Sequence, residues 1–209
     1  MDLITLLNGP LEENCYFLSA PGAAEGVLVD PGSSAPELMR ALQDAGKRPA
    51  YLLATHAHFD HVGAVHALAQ AYGAPFACSK ADAEVLDALE DSYAFYGMGT
   101  TKTPRVDRWL EGGELLQVGG LELEVLATPG HSPGSLCFFH RPSLTLFSGD
   151  TLFHLSIGRS DLPGGDPAAL EASIRGQLYG LPVQTKVYPG HGPATDIGRE
   201  RAQNPFVRP

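Results

Sequence analysis

The sequence predicts a layered α/β protein, on three observations. Short apolar runs of strand length alternate with segments whose apolar residues recur at helical spacing. The strand-like runs end in glycine-rich or polar turns. At those turns stand histidines and aspartates: His56 to His61, His131, Asp150 and His191. Strand-to-helix turns are a usual place for chemistry in layered α/β proteins.

Leu3 to Leu7 and Cys15 to Leu18 read as strands, with Asn8-Gly9-Pro10 as the turn between them. Gly26 to Val29 is a third strand, ending at Asp30-Pro31-Gly32. Asp30 at that strand end either orients a histidine ligand or caps its own turn. Ser33 or Ser34 caps a helix running to Gly46. Ala50 to Ala54 is long enough for a buried strand, and Val62, Val65, Leu68 and Ala69 mark the helix after it. Pro75 to Cys78 is a short strand and Lys80 to Leu89 a small helix. Residues 91–107 show no clear period; they form either a lid with aromatic substrate contacts or a surface loop that tucks its aromatics inward.

Glu114 to Val118 and Leu121 to Leu126 are strands joined by Gly119-Gly120, a hairpin signal. Ser135 to Phe139 and Leu144 to Phe147 follow, with a turn at Arg141-Pro142-Ser143. Pro167 to Leu178 is a helix with Asp166 as cap and proline first. Thr185 to Tyr188 is the last clear strand, and Ile197 to Gln203 a closing helix.

With 209 residues there is ample chain for a core. A net charge of -10 argues against nucleic-acid and membrane-surface roles. Cys15, Cys78 and Cys137 sit in apolar stretches and read as buried thiols of a reducing compartment. No signal peptide or membrane-spanning run is evident, so a cytoplasmic protein is expected.

The chemistry centres on Thr55-His56-Ala57-His58-Phe59-Asp60-His61. Alternate residues of an extended segment point the same way, so His56 and His58 converge on one metal. Past the bend, Asp60 and His61 face a second point. In this reading His56, His58 and His131 hold one ion, and Asp60, His61 and His191 the other. Asp150 bridges them, since a carboxylate has two oxygens. Imidazole and carboxylate suit zinc, with iron and manganese also tolerated. His66 and His140 read as surface and turn histidines; His154 lines the pocket or lies on the surface.

His56-x-His58-x-Asp60-His61, followed by His131, Asp150 and His191, resembles the metallo-β-lactamase-fold hydrolases. Residues 158–166 and 197–201 resemble the short glyoxalase II-like (hydroxyacylglutathione hydrolase) subgroup. The resemblance implies one domain over residues 1–209, a four-layered αββα sandwich of two mixed β-sheets flanked by helices, and all seven residues as ligands. It also implies hydrolysis of a small thioester by a hydroxide bridging two divalent metals, with Asp60 orienting it. The ligand set, with Asp150 and His61, speaks against β-lactam hydrolysis as the native role.

Arg159 matches a basic family residue and either binds a substrate carboxylate or pairs with Asp161 or Asp166. Asp161 and Pro193 stand where the family has tyrosines, and no C-terminal glutathione-binding helical domain is expected. Glutathione specificity is therefore not implied. Gly158-Arg159-Ser160-Asp161 also resembles persulfide dioxygenases, in which His56, His131 and Asp150 would hold a single iron.

Overall fold

Strand β2 (Glu13–Ser19) shows why the protein is layered. Cys15 and Phe17 enter one apolar cluster, while Tyr16 and Leu18 enter another. Successive residues of a strand face opposite sides, so a strand apolar at every position must be covered on both. The same alternation recurs in β3 (Glu25–Val29), β4 (Arg48–Leu53), β9 (Leu136–His140) and β10 (Thr145–Gly149).

The computed structural model describes residues 1–209. The first six-stranded sheet runs in sequence order from β1 (Asp2–Asn8) through β2, β3, β4 and β5 (Phe76–Ser79) to β6 (Arg108–Leu110). β1 to β3 are antiparallel and β3 to β6 parallel. The second has the order β14-β13-β10-β9-β8-β7, with β7 (Leu115–Val118), β8 (Leu121–Ala127), β13 (Lys186–Pro189) and β14 (Thr195–Asp196). Only its β10–β13 pair is parallel.

A cluster of 15 buried residues from both sheets fills the space between them. The outer face of the first sheet is covered by α1 (Ala35–Asp44), α3 (Val65–Tyr72), α4 (Ala83–Asp87) and α5 (Leu89–Phe95). The second carries α6 (Pro167–Ser173) and α7 (Ile197–Gln203). These are the four layers αββα. Each fully buried leucine or phenylalanine contributes ~1.5–3 kcal/mol.

Several boundaries differ from expectation. The helix after β4 is broken: α2 (Phe59–Val62) is one turn, and α3 starts beyond Gly63 and Ala64. Gly63 lets Gly32 and Tyr93 approach so closely that a Cβ would collide with both. The segment 91–107 opens with most of α5, whose Leu89 and Tyr93 are buried four residues apart. His140 is the last residue of β9, buried beside Ser143, and not a turn residue. A two-stranded hairpin, β11 (Leu152–Phe153) and β12 (Ser156–Ile157), follows Asp150 and was not expected.

Candidate metal centre

His56 follows β4, His131 follows β8, Asp150 follows β10 and His191 follows β13, so each ligand loop leaves a strand end of one of the two sheets. The loops converge along one edge. Three groups form: His56, His58 and His131; His56, His61 and Asp150; Asp60, His61 and His191. Within each, the potential ligand atoms lie within 4.8 Å of one another. All seven residues singled out from the sequence are brought together.

Hydrogen bonds set the tautomers. His131 Nδ1 donates to the Arg159 carbonyl at 2.7 Å, because a carbonyl can only accept. The Thr55 hydroxyl donates to Asp30 at 2.7 Å and so accepts from His56 Nδ1 at 3.1 Å. The two bare Nε2 lone pairs of His56 and His131 then face each other at 3.2 Å. His58 Nδ1 lies 2.9 Å from the same His131 nitrogen. A proton on His58 could bridge that contact but would leave His56 against His131. Burial, then the neighbouring His131, pushes His58 down to about 3, and burial lowers His56 as well. Neutral imidazoles with converging lone pairs are a donor set for a cation.

The other group is anionic. The Leu11 carbonyl accepts from His191 Nδ1 at 3.2 Å, and His191 Nε2 lies 3.2 Å from Asp60 Oδ2. Burial works against the charge on Asp60, but His61 and His191 hold its carboxyl below the usual range. Burial likewise opposes charge on His61, yet Asp150, Asp60 and Asp30 together draw positive charge onto it. The same field would hold a metal ion. Asp150 stands between the groups: Oδ1 is 3.5 Å from His61 Nε2, and Oδ2 is 3.5 Å from His131 Nε2 and 3.8 Å from His191 Nε2. Asp150 Oδ1 and His61 Nε2 are buried without a hydrogen-bond partner, as ligand atoms awaiting a cation would be. The residues present therefore fit a pair of divalent ions.

Asp30 resolves its two readings. It sits at φ 52, accepts from the Thr55 amide and hydroxyl at 2.7 Å each, and lies 3.2 Å from His61 Nδ1. It orients ligands in the loop and helical turn that follow the neighbouring strand β4 rather than capping its own turn. Gly190 is required by space, since a Cβ there would come within 2.2 Å of Asp150 Oδ1.

Arg159 spends its side chain on a two-pronged pair with Asp161 at 2.7 Å, while Asp166 caps α6 through the Ala168 and Ala169 amides. His154 is half-exposed and meets Arg199 at 3.2 Å. His66 lies away from the centre, beside a cavity of about 760 Å³ between α1, α3 and residues 97–102. That cavity contains none of the converging ligands.

Three groups were missed from the sequence. Asp82 ties the His56–His58 loop to the His131 loop. Thr55 relays Asp30 to His56. Glu13 is buried near His61 with both carboxylate oxygens unpaired, and burial raises its pKa well above the ordinary value. A charged residue at the head of an apolar strand was the available signal for Glu13.

A model of the metallo-beta-lactamase superfamily matches residues 8–191. Among relatives, the probable metallo-hydrolase YqgX of Bacillus subtilis is 38% identical, over 95% of this chain and 94% of its own. The hydroxyacylglutathione hydrolase GloC of Haemophilus influenzae is 35% identical, over 94% and 93%. Among solved structures, the BLEG-1 B3 metallo-beta-lactamase superposes with a TM-score of 0.92 at 39% identity, over 99% of both chains. TTHA1623 in a di-iron-bound form superposes with a TM-score of 0.89 at 40% identity, over 98% of this chain and 100% of its own. On the matched residues and these relatives, the chain belongs to the metallo-beta-lactamase superfamily.

Proposed function

We propose that the protein is a binuclear metallohydrolase that cleaves a small thioester. His56, His58 and His131 would hold one divalent ion, and Asp60, His61 and His191 the other, with Asp150 shared. The observation that carries this reading is Asp150, whose two oxygens face histidines of both groups. The di-iron form of a similar structure supports two ions, and a relative named hydroxyacylglutathione hydrolase supports a thioester.

Bound there, the ions would acidify a water to hydroxide near neutral pH and polarise the substrate carbonyl. The protein's own groups do the rest. Asp60, which would share an ion with His61 and His191, accepts a hydrogen bond from the attacking water and aims its lone pair at the acyl carbon. The Arg159 and Leu11 carbonyls hold His131 and His191 by Nδ1, so neither ring can turn as charge builds. Water adds to the acyl carbon, the C–S bond breaks, and a carboxylic acid and a thiol leave. A thiolate departs without prior protonation, so no separate general acid is needed.

The test pairs metal analysis with three substrates: lactoylglutathione, glutathione persulfide and a β-lactam. Two metals per chain and thioester cleavage without oxygen uptake are expected. One iron per chain, with oxygen consumed on persulfide and no thioester cleaved, would transfer the assignment to a dioxygenase on His56, His131 and Asp150. The likeness to the B3 enzyme means that ligands alone do not exclude a β-lactam. Faster β-lactam than thioester turnover would overturn the substrate class.

A further inference from the structure

Phe59 directly follows His58 and opens α2. Its ring stacks on Tyr96 with centroids 4.5 Å apart and planes 13° from parallel. The Phe95 ring meets Tyr96 edge-on at 5.2 Å. Phe95 is 82% and Tyr96 55% exposed, so the last residue of α5 and the one after it turn two large rings outward. The helix does not need them for its anchorage. Leu89 and Tyr93 bury its inner face. The chain beyond is pinned by the Thr101 hydroxyl, which donates to the Gly63 carbonyl at 2.6 Å.

Arg159 closes in from the other wall. Its carbonyl holds His131 Nδ1 at 2.7 Å, and His131 Nε2 lies 2.9 Å from His58 Nδ1. The rings and Arg159 therefore flank the same group, His56, His58 and His131. Asp161 matches the Arg159 charge at 2.7 Å on both prongs. This wall offers a flat apolar face beside a neutralised ion pair. It suits an uncharged planar group better than a second carboxylate, and aromatic pairs gain beyond their buried area when offset-stacked.

We propose that Phe59, Tyr96 and Phe95 form a subsite for the acyl side group of the substrate, selecting aryl-bearing over small aliphatic thioesters. The proposal rests on reading the centre as a thioester hydrolase. The matched charges of Arg159 and Asp161, and the position of Phe59 next to the ligand His58, favour a substrate group there over a protein partner.

The test compares mandeloyl- with lactoylglutathione, which share the thiol and the α-hydroxyl and differ by phenyl for methyl. On the metal-loaded protein, the mandeloyl ester is expected to have the higher kcat/KM by about tenfold, mostly through KM. Tyr96→Ala and Tyr96→Leu should erase that preference, and Tyr96→Phe should keep it. Leucine keeps apolar bulk without a ring, so loss in both variants is not a folding effect. A wild-type preference for lactoyl, or a preference unmoved by either variant, overturns the proposal.

A second measurement separates the subsite from the chemistry. Calorimetry with mandelate and lactate, on zinc-loaded protein, should show mandelate bound more tightly, and Tyr96→Ala should remove the difference. If neither thioester is cleaved, the hydrolase reading falls, and this binding difference alone decides the subsite. Equal binding overturns it. So does a wild-type dimer in sedimentation that Tyr96→Ala dissociates, since the rings would then belong to a contact between copies.

Discussion

The Asp82 carboxylate accepts a hydrogen bond from the Ser132 hydroxyl at 2.8 Å, joining segments 50 residues apart. Its oxygens also take the Ala57 amide at 2.9 Å and the Gly134 amide at 2.5 Å. One buried side chain thus sets the spacing between His56, His58 and His131. Asp82→Ala leaves these donors unpaired, and Asp82→Asn turns an amide N–H₂ toward one of them. Both variants are expected to weaken metal binding by about 10–100-fold. Competition against a chromophoric chelator measures this, and wild-type affinity in both variants would contradict the role.

Asp150 and His58 are expected to matter for metal and activity but not for the fold. Asp150 retains 12% side-chain exposure, and His58 is also partly exposed. Neither belongs to the apolar clusters. Asp150→Ala and His58→Ala should each lower turnover by about a thousandfold or more. Metal per chain should fall while the far-UV circular dichroism is unchanged. Retained turnover in metal-depleted Asp150→Ala protein would remove Asp150 from the centre.

The layered α/β class and the cluster of potential ligands were legible in short-range pattern, and the four-layer arrangement through the family resemblance. The unbroken apolar run Cys15-Tyr16-Phe17-Leu18 marks a strand, which the structure buries on both faces, and the spacing of His56, His58, Asp60 and His61 marks a turn with converging donors. What was not legible depends on distant partners. Asp82 looks like an ordinary helix-start residue until Ser132 and Gly134 are placed against it. The strand Arg108–Leu110 is three residues long, too short for any period, and exists because β5 offers an open edge. α5 was hidden by Phe95 and Tyr96, outward-facing rings that blur the inward pair Leu89 and Tyr93.

Glu200 is expected to stabilise the wall that carries Arg159. It is fully buried and accepts from the Thr195 hydroxyl at 2.5 Å, the Leu155 amide at 3.0 Å and Asn204 Nδ2 at 2.9 Å. Asn204 also donates to the Ser156 carbonyl at 3.1 Å. Helix α7 therefore grips the tip of the β11–β12 hairpin, just before Gly158 and Arg159. Glu200→Ala leaves several buried donors unpaired, at ~1–3 kcal/mol each. Hydrogen exchange should speed up over residues 152–159 more than in the sheets. Uniform exchange would mean that Glu200 supports the domain generally and not this hairpin.

The three buried thiols predict how stability depends on alkaline pH. Burial pushes Cys78 and Cys137 from an ordinary value of 9.0 up to about 12, and raises Cys15 as well. Below about pH 9 each thiol is neutral in both folded and unfolded chains and contributes no pH dependence. Between about 9 and 12 the unfolded chain ionises while the folded one does not, so stability falls as pH rises. Denaturant unfolding at stepped pH should show this fall, and it should be shallower in a Cys78→Ala/Cys137→Ala double variant. Replacing the thiols creates cavities that lower stability at every pH, so the slope and not the absolute value is the readout. A thiol reagent at pH 8 should modify none of the three in the native protein and all of them in denaturant. An equal slope in the double variant, or rapid native labelling, would show that these thiols ionise in the folded state.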